Sequence, residues 1–301
     1  MIVSLPPGPW LENVMILESP KGAASPPLAL SSAHHSNQTS QCGEDGIIEA
    51  IFRHLGIEKG TAVEFGAWDG ERHANTFALV RRGWRVALIE GNEGRFQALR
   101  QKTQDNPNVV AVKAWVRPTG EYSLDSILDR ASVHDIDFLS VDIDGDDYHV
   151  LASLERKPKV VCVEINPSVP PPVALIGRQG TAEGSSITAF DTLMRGRGYS
   201  LVHTTTLNAF FVRQDIAERF VRVTPADSFD YRHARFVISF YDGTNAIVDA
   251  EGNPKRAKNP WTGAYAALAI GSPKRARLAI AALAGAIACV AVVLLAIAIS
   301  G

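Results

Sequence analysis

The sequence predicts an α/β domain whose mainly parallel sheet is buried on both faces, followed by one membrane-spanning helix near the C-terminal end. Three observations carry this. From residue 41 to about residue 200, short apolar stretches alternate with stretches of helical period. The apolar stretches are nearly continuous, as in strands covered by helices on both sides. The run 278–299 holds 22 residues without a charge, roughly 33 Å of helix against a hydrocarbon layer of ~30 Å.

Taken in order, residues 1–38 are rich in Pro, Ser, Ala and Gly without a steady period, which predicts a mobile arm with His34 and His35 exposed in it. Ile47, Ile48, Ile51, Phe52 and Leu55 recur at helical spacing, and Gly56 supplies the stop. Strands are expected over 61–66, 85–90, 108–115, 136–142 and 159–164. Helices are expected over 73–82, 93–102, around Leu124, Ile127 and Leu128, and over 147–154. Pro167, Pro170, Pro171 and Pro172 then open a loop that runs to about Gly184. Loops of that length usually carry function or are disordered. A helix over 186–197 follows, and the strands 199–204 and 208–213 form an antiparallel hairpin. The stretches 236–241 and 246–250 flank Asp242-Gly243, a second hairpin signal without an evident place in the fold. The expected organisation is an arm over 1–38, a main domain over 39–222, an extension over 223–272 and the apolar helix over 278–299.

Composition narrows the partners. A formal net charge of −2 gives no basic surface for nucleic acid, so a small or lipid-linked substrate is expected instead. Cys42, Cys162 and Cys289 are far apart and odd in number, without metal spacing or a disulfide framework, which points to a reducing compartment. No basic residue precedes Lys21, and Pro6, Pro7 and Pro9 break the start, a poor signal peptide. Lys274, Arg275 and Arg277 precede the apolar run, so the charge rule leaves the main domain in the cytoplasm, anchored by a single pass. Ala281, Gly285 and Cys289 form a small-residue stripe that could pair helices into a homo-oligomer, although so Ala-rich a segment produces such stripes by chance.

The stretch 63–70, Val-Glu-Phe-Gly-Ala-Trp-Asp-Gly, is an apolar strand ending in Glu64, a glycine turn, and then a helix. Ligands of open α/β sheets bind where strands end, and glycine lets the backbone come close to them. Glu90 ends the next apolar strand, where a carboxylate can accept from both hydroxyls of a ribose. Together they describe a nucleoside-binding crevice. Dinucleotide sites present bare amides to a pyrophosphate, whereas Glu64 and Asp69 make this turn acidic. S-adenosyl-L-methionine (SAM) has no phosphate and carries a positive amino group and sulfonium, so it suits the turn better. Trp68 and Trp115 could stack on adenine or substrate, although buried aromatics are usually core.

A second acidic cluster spans 140–147, Ser-Val-Asp-Ile-Asp-Gly-Asp-Asp. Asp142 ends a strand, Asp144 follows it towards the crevice, and Glu164 and Asn166 stand at the end of the next strand. Three readings stay open. Asp142, Glu164 and Asn166 could hold Mg²⁺ through hard oxygen ligands and acidify a substrate hydroxyl. Asp144 or Glu164 could be a metal-free general base. Or all could be caps and hydrogen-bond anchors. Position twelve counted from Asp142 is Ser153 rather than Glu, which excludes a calcium-binding EF-hand loop. His73, His149 and His203 are weaker candidates for proton acceptors.

At these residues the chain resembles the FkbM-type methyltransferases, a class I SAM-dependent family found with polysaccharide and glycolipid biosynthesis. The matching segments are Ser40-Gln41-Cys42-Gly43-Glu44-Asp45-Gly46, 63–70, Asn75-Thr76, Gly83-Trp84, Ile89-Glu90, 137–148, 163–167 and 208–212. The resemblance implies a Rossmann-like sheet of seven strands whose last strand runs antiparallel. It implies SAM with its methionine end near Glu64, Gly66 and Gly70, its ribose on Glu90 and its methyl near Asp142. Gln41 and Asp45 would close over the site from the leading helix. The usual family pattern has Glu-Gly where Asp144-Gly145 stands here, which leaves the role of Asp144 open.

The expected activity is methyl transfer from SAM to an oxygen, a sugar hydroxyl on a lipid-linked or membrane-proximal glycan. Asp144 and Glu164 are the expected catalytic residues. The rivals are a SAM-binding membrane scaffold without catalysis and a nucleotide-sugar enzyme, the latter poorly served by an acidic turn.

Overall fold

A computed structural model describes residues 26–239, 245–249 and 253. Seven strands make one sheet: β1 (Thr61–Phe65), β2 (Arg85–Glu90), β3 (Val109–Lys113), β4 (Phe138–Val141), β5 (Val160–Glu164), β6 (Tyr199–Thr204) and β7 (Asn208–Arg213). Their spatial order is β3-β2-β1-β4-β5-β7-β6. The first five pair in parallel, and β7 runs antiparallel between β5 and β6. This is the Rossmann-like sheet with an antiparallel last strand that the family resemblance implies. Chain order reverses at β1 and β4, so the crevice at their C-terminal ends is where such sheets bind ligands.

The burial pattern explains why the strands are uninterrupted apolar runs. Successive residues point to opposite faces, and each face has its own core. Val63, Phe65, Leu139, Val141, Val161 and Val163 face one core, closed by α4 (Leu124–Arg130), α5 (Asp147–Ser153) and α6 (Ile187–Gly196). Ala62, Phe138, Val160 and Cys162 face the other, closed by α1 (Glu44–Leu55), α2 (Phe77–Arg81) and α3 (Glu93–Thr103). Ile47, Ile48, Ile51 and Phe52 of α1 are all buried, so the helical period seen in the sequence is the period of its contact face.

Two expectations change. The mobile arm expected over 1–38 does not extend through residues 26–38, which the chain pairs with the domain. The Leu28 N–H donates to the Arg219 carbonyl at 2.8 Å, and the Val221 N–H returns to Leu28 at 2.9 Å. Gln38, Thr39 and Ser40 then each donate a backbone N–H to one oxygen of Asp45, at 2.7, 3.0 and 3.0 Å. Composition hid these partners: Arg219 and Val221 are distant in sequence, and nothing in the local period marks Asp45 as the acceptor for the turn before it. The helix expected over 73–82 starts only at Phe77. The Asn75 and Thr76 N–H groups are taken by Glu64, and His73 sits at φ 59°, outside a right-handed helix.

The second hairpin exists as β8 (Phe236–Ser239) paired antiparallel with β9 (Asn245–Val248), separate from the main sheet. Phe236 packs on the core beside α6, and the Arg235 N–H donates to Ser168 at 3.0 Å, so the hairpin's start is tied to the loop after β5. Its turn, the arm before residue 26, most of the extension beyond 249 and the apolar run 278–299 lie outside the described residues. Among the described residues no helix is long and apolar enough to cross a membrane.

Candidate active site

A cavity of about 400 Å³ opens over the C-terminal ends of β1, β2, β4 and β5, a size ordinary for a small-molecule site. Of the residues singled out from sequence, Gln41, Glu64, Gly66, Glu90, Asp142, Asp144 and Glu164 line it. Asp45, Gly70 and Asn166 do not.

The floor at β1 and β2 is built from carboxylates that are already held. Glu64 is buried, and receives the N–H of Asn75 at 2.8 Å, the N–H of Thr76 at 3.3 Å and the Thr76 hydroxyl. Burial raises its proton affinity, and those three donors oppose the rise. Its work is to fold the loop between β1 and α2 back against the sheet. Glu90 receives the Trp68 N–H at 2.9 Å and the Asn92 N–H at 2.6 Å. Each oxygen keeps a lone pair for a hydroxyl, and the two backbone donors fix the carboxylate's orientation. Gly66, at φ 79°, carries no Cβ because one would fall 1.7 Å from the Asp142 carbonyl. The turn after β1 therefore presses directly on the end of β4.

At β4 and β5 the carboxylates face one another. Asp142, Asp144 and Glu164 place an oxygen each within 4.8 Å of the others. Burial, then the neighbouring carboxylates, push Asp142 well above the ordinary carboxylate range, with Asp147 the largest of these neighbours. Glu164 is raised further, by burial and then by Asp142. The physical content is a pair that shares a proton, because two adjacent half-buried carboxylates resist ionising together. Asp144 stands at the mouth with a left-handed backbone, φ 59°. Asp147, the last acid of the motif, works differently. Buried, it takes the N–H groups of Ile143 and Gly145, both at 2.9 Å, and so holds the turn's shape.

Three expected site residues stand outside the cavity lining, each with partners elsewhere. Asp45 is spent on the leading turn, taking the Ser40 hydroxyl at 2.8 Å besides its three N–H groups. Gly70 lies against the core, where an added Cβ would meet Leu99 at 2.7 Å and Leu88 at 3.2 Å. Asn166 donates to the Glu183 carbonyl at 2.8 Å and accepts from Ser168, so it ties the β5–α6 loop, while Asp142, Asp144 and Glu164 form a three-carboxylate group. That three-carboxylate group could hold one divalent cation. Each correction has one cause: sequence spacing fixes which residues stand near a strand end, while side-chain direction depends on partners elsewhere.

The histidines divide similarly. His73 lines the cavity, and its Nδ1 meets the Gln41 amide at 3.0 Å. His149 bonds the Gly177 carbonyl at 2.8 Å and His203 pairs with His35 at 2.9 Å, so both serve structure away from the cavity. Sequence reasoning missed the wall made by the β5–α6 loop, whose Gly180 and Thr181 line the cavity. The Gly180 N–H donates to Asp146 at 2.7 Å, and a Cβ on Gly145 would meet the Thr181 carbonyl at 2.1 Å. The run of prolines that opens this loop was the available signal. Also missed were Arg72, Arg95 and Arg117, which surround the mouth. Trp115, 62% exposed, lies over Gly91 so closely that a Cβ there would enter its ring.

Comparison with known proteins finds one family model over part of the chain and a set of distant solved structures. No curated protein matches the chain. Among solved structures, the N-terminal domain of EvdMO1, determined in the presence of SAH and D-fucose, is 16% identical over 56% of this chain and 80% of its own, with a TM-score of 0.38. A putative caffeoyl-CoA O-methyltransferase from Staphylococcus aureus is 12% identical over 56% and 82%, with a TM-score of 0.41. The citrinin polyketide synthase CMeT domain is 11% identical over 56% and 51%, with a TM-score of 0.40. Residues 116–201, which carry Asp142, Asp144 and Glu164, match the family model of the methyltransferase FkbM domain, the family that the strand-end motifs resemble.

Proposed function

We propose that the chain is a SAM-dependent methyltransferase that transfers the methyl group to a hydroxyl oxygen of a sugar. The observation that carries the reading is the cavity's division of labour. One end offers Glu90 with its orientation fixed by two backbone donors, suited to a ribose diol. The other offers the proton-sharing pair Asp142 and Glu164, suited to accepting a proton. The family match over the second end supports methyl transfer rather than another nucleoside chemistry.

In this reading the ribose lies on Glu90, the methionine end runs past Gly66, and the sulfonium approaches Asp142. A positive sulfonium favours ionisation of Asp142 and Glu164, leaving a carboxylate to take the hydroxyl proton. The oxygen–carbon bond forms as the carbon–sulfur bond breaks, and the sulfur keeps the electron pair as S-adenosylhomocysteine (SAH). Most of the rate would come from alignment of oxygen on methyl. A Mg²⁺ ion on Asp142, Asp144 and Glu164 is the second reading, favoured by their mutual distances. It would replace the carboxylate base by a polarised hydroxyl.

The apolar run 278–299 supports a single-pass anchor with the domain in the cytoplasm and a lipid-linked or membrane-proximal glycan as acceptor. Truncation after residue 272 then moves the protein from the membrane fraction to the soluble one; a truncated chain still in the membrane fraction removes the anchor.

Calorimetric titration of the full chain with SAH, with and without Mg²⁺, tests the central reading. Micromolar binding is expected, and a magnesium dependence selects the second reading over the first. Absence of binding by the folded chain would overturn both.

A further inference from the structure

The cavity floor is acidic, yet three exposed arginines also line the cavity, and two of them are arranged on an aromatic platform. The Arg95 guanidinium lies 3.7 Å and that of Arg72 4.6 Å from the centre of the Trp68 ring. Such stacking holds a guanidinium by its face and leaves its N–H edge free to donate. Arg117 lines the same cavity.

The nearest acids make no ion pair with these guanidinium groups. Asp69 and Glu71 precede Arg72 in sequence; Asp69 accepts the Arg72 N–H at 2.8 Å, and the carboxylates of both pair with Lys102, at 2.9 and 2.8 Å. Among the described residues no carboxylate pairs with Arg72, Arg95 or Arg117. Two like charges therefore share one ring with no carboxylate in ion-pair contact with either guanidinium.

A second observation shows that the platform is built. Trp68 has a left-handed backbone, φ 49°, uncommon for a bulky residue. Among the described residues, three of the four such non-glycine positions, Trp68, His73 and Asp144, line this cavity. Strain of this kind persists where surrounding structure enforces it, characteristically at binding sites. Here the Trp68 N–H is fixed by Glu90, and the Arg95 N–H by the Asn92 side chain at the start of α3.

We propose that Arg72 and Arg95, carried on Trp68, form an anion clamp at the cavity mouth that receives a carboxylate or phosphate of a bound molecule. The proposal rests on the nucleoside reading of the cavity and deepens it. Two sources offer the same chemistry: the amino-acid carboxylate of the cofactor, or an acidic group of the acceptor, such as a sugar phosphate or uronic acid. Two guanidinium edges can present paired N–H donors to either oxyanion.

The test uses the full chain and an R72Q/R95Q variant, both exposed changes that leave the core untouched, with R130Q, an exposed arginine on α4 outside the cavity, as a control for lost surface charge. Each protein is titrated with SAH, with 5′-methylthioadenosine, which lacks the amino-acid carboxylate, and then with inorganic pyrophosphate and glucuronate. If the cofactor supplies the anion, R72Q/R95Q binds SAH at least tenfold more weakly and methylthioadenosine unchanged. If the acceptor supplies it, SAH binding is unchanged, while pyrophosphate or glucuronate binds wild type and R130Q but not R72Q/R95Q. Unchanged SAH affinity with no anion binding by wild type overturns the clamp. Equal anion binding by wild type and variant overturns it too. Should wild type bind no nucleoside at all, the reading of the cavity fails separately, and the anion titrations still decide the clamp.

Discussion

The two ends of the cavity use the same residue types to opposite effect. At β1 and β2, Glu64 and Glu90 each accept backbone N–H groups from the loop that follows a strand. At β4 and β5, Asp142 and Glu164 have mainly each other, and their proton affinities rise. A carboxylate surrounded by donors organises structure and orients a ligand. One surrounded by other carboxylates holds a proton that chemistry can move. The partner, rather than the acid, sets the role.

This contrast can be broken at each end. The largest effect is expected for Glu164→Gln, which removes the proton acceptor: turnover, followed as SAH release, falls about 100-fold or more, while SAH affinity changes little. Equal loss of affinity and turnover would make Glu164 a binding residue instead. Glu64→Ala leaves the buried N–H groups of Asn75 and Thr76 without an acceptor and destabilises the fold by on the order of 3 kcal/mol, read by urea unfolding. A loss below about 1 kcal/mol would show that the loop is held by other means. Glu90→Ala weakens SAH binding about 10- to 100-fold, as expected for hydrogen bonds to a charged group; calorimetry with unchanged affinity would remove the ribose from that position.

The smallest effect has the opposite sign. Asp142 and Glu164 bind protons more tightly folded than unfolded, so their contribution to stability is full below the ordinary carboxylate range. It is lost as pH rises through their raised folded values. Asp142→Asn therefore leaves stability unchanged near pH 4 and raises it by about 1 kcal/mol at pH 8, even as it removes activity. Thermal melts across that range check this; a variant destabilised at pH 8 would mean that the pair is an asset to the fold. Stability gained where function is lost is the usual sign of a site built against its own fold.

Much of the fold was legible because it follows from local pattern. The continuous Val- and Ile-rich runs of β1, β4 and β5 had to be covered on both faces, and the glycine at 66 marked a close approach. The site was legible to the extent that strand ends define it. What misled was the loop 67–76, where helical spacing was present but Glu64 had claimed the N–H groups of Asn75 and Thr76. Likewise Asp45 and Asn166 carry suitable side chains at suitable positions, yet both are engaged by neighbouring loops.

The order of strands and helices, the acidic strand ends and the apolar run at 278–299 could all be read from the chain as written. They depend on periodicity and composition, which are properties of neighbours along it. Three further points come from folding in three dimensions: Asp144 stands within reach of Asp142 and Glu164 while Asn166 ties a loop, residues 26–38 pair with the domain, and Arg72 and Arg95 share Trp68. Those outcomes depend on where a side chain points and on which distant group satisfies it, and hydrogen bonding and burial fix both only once the chain has closed on itself.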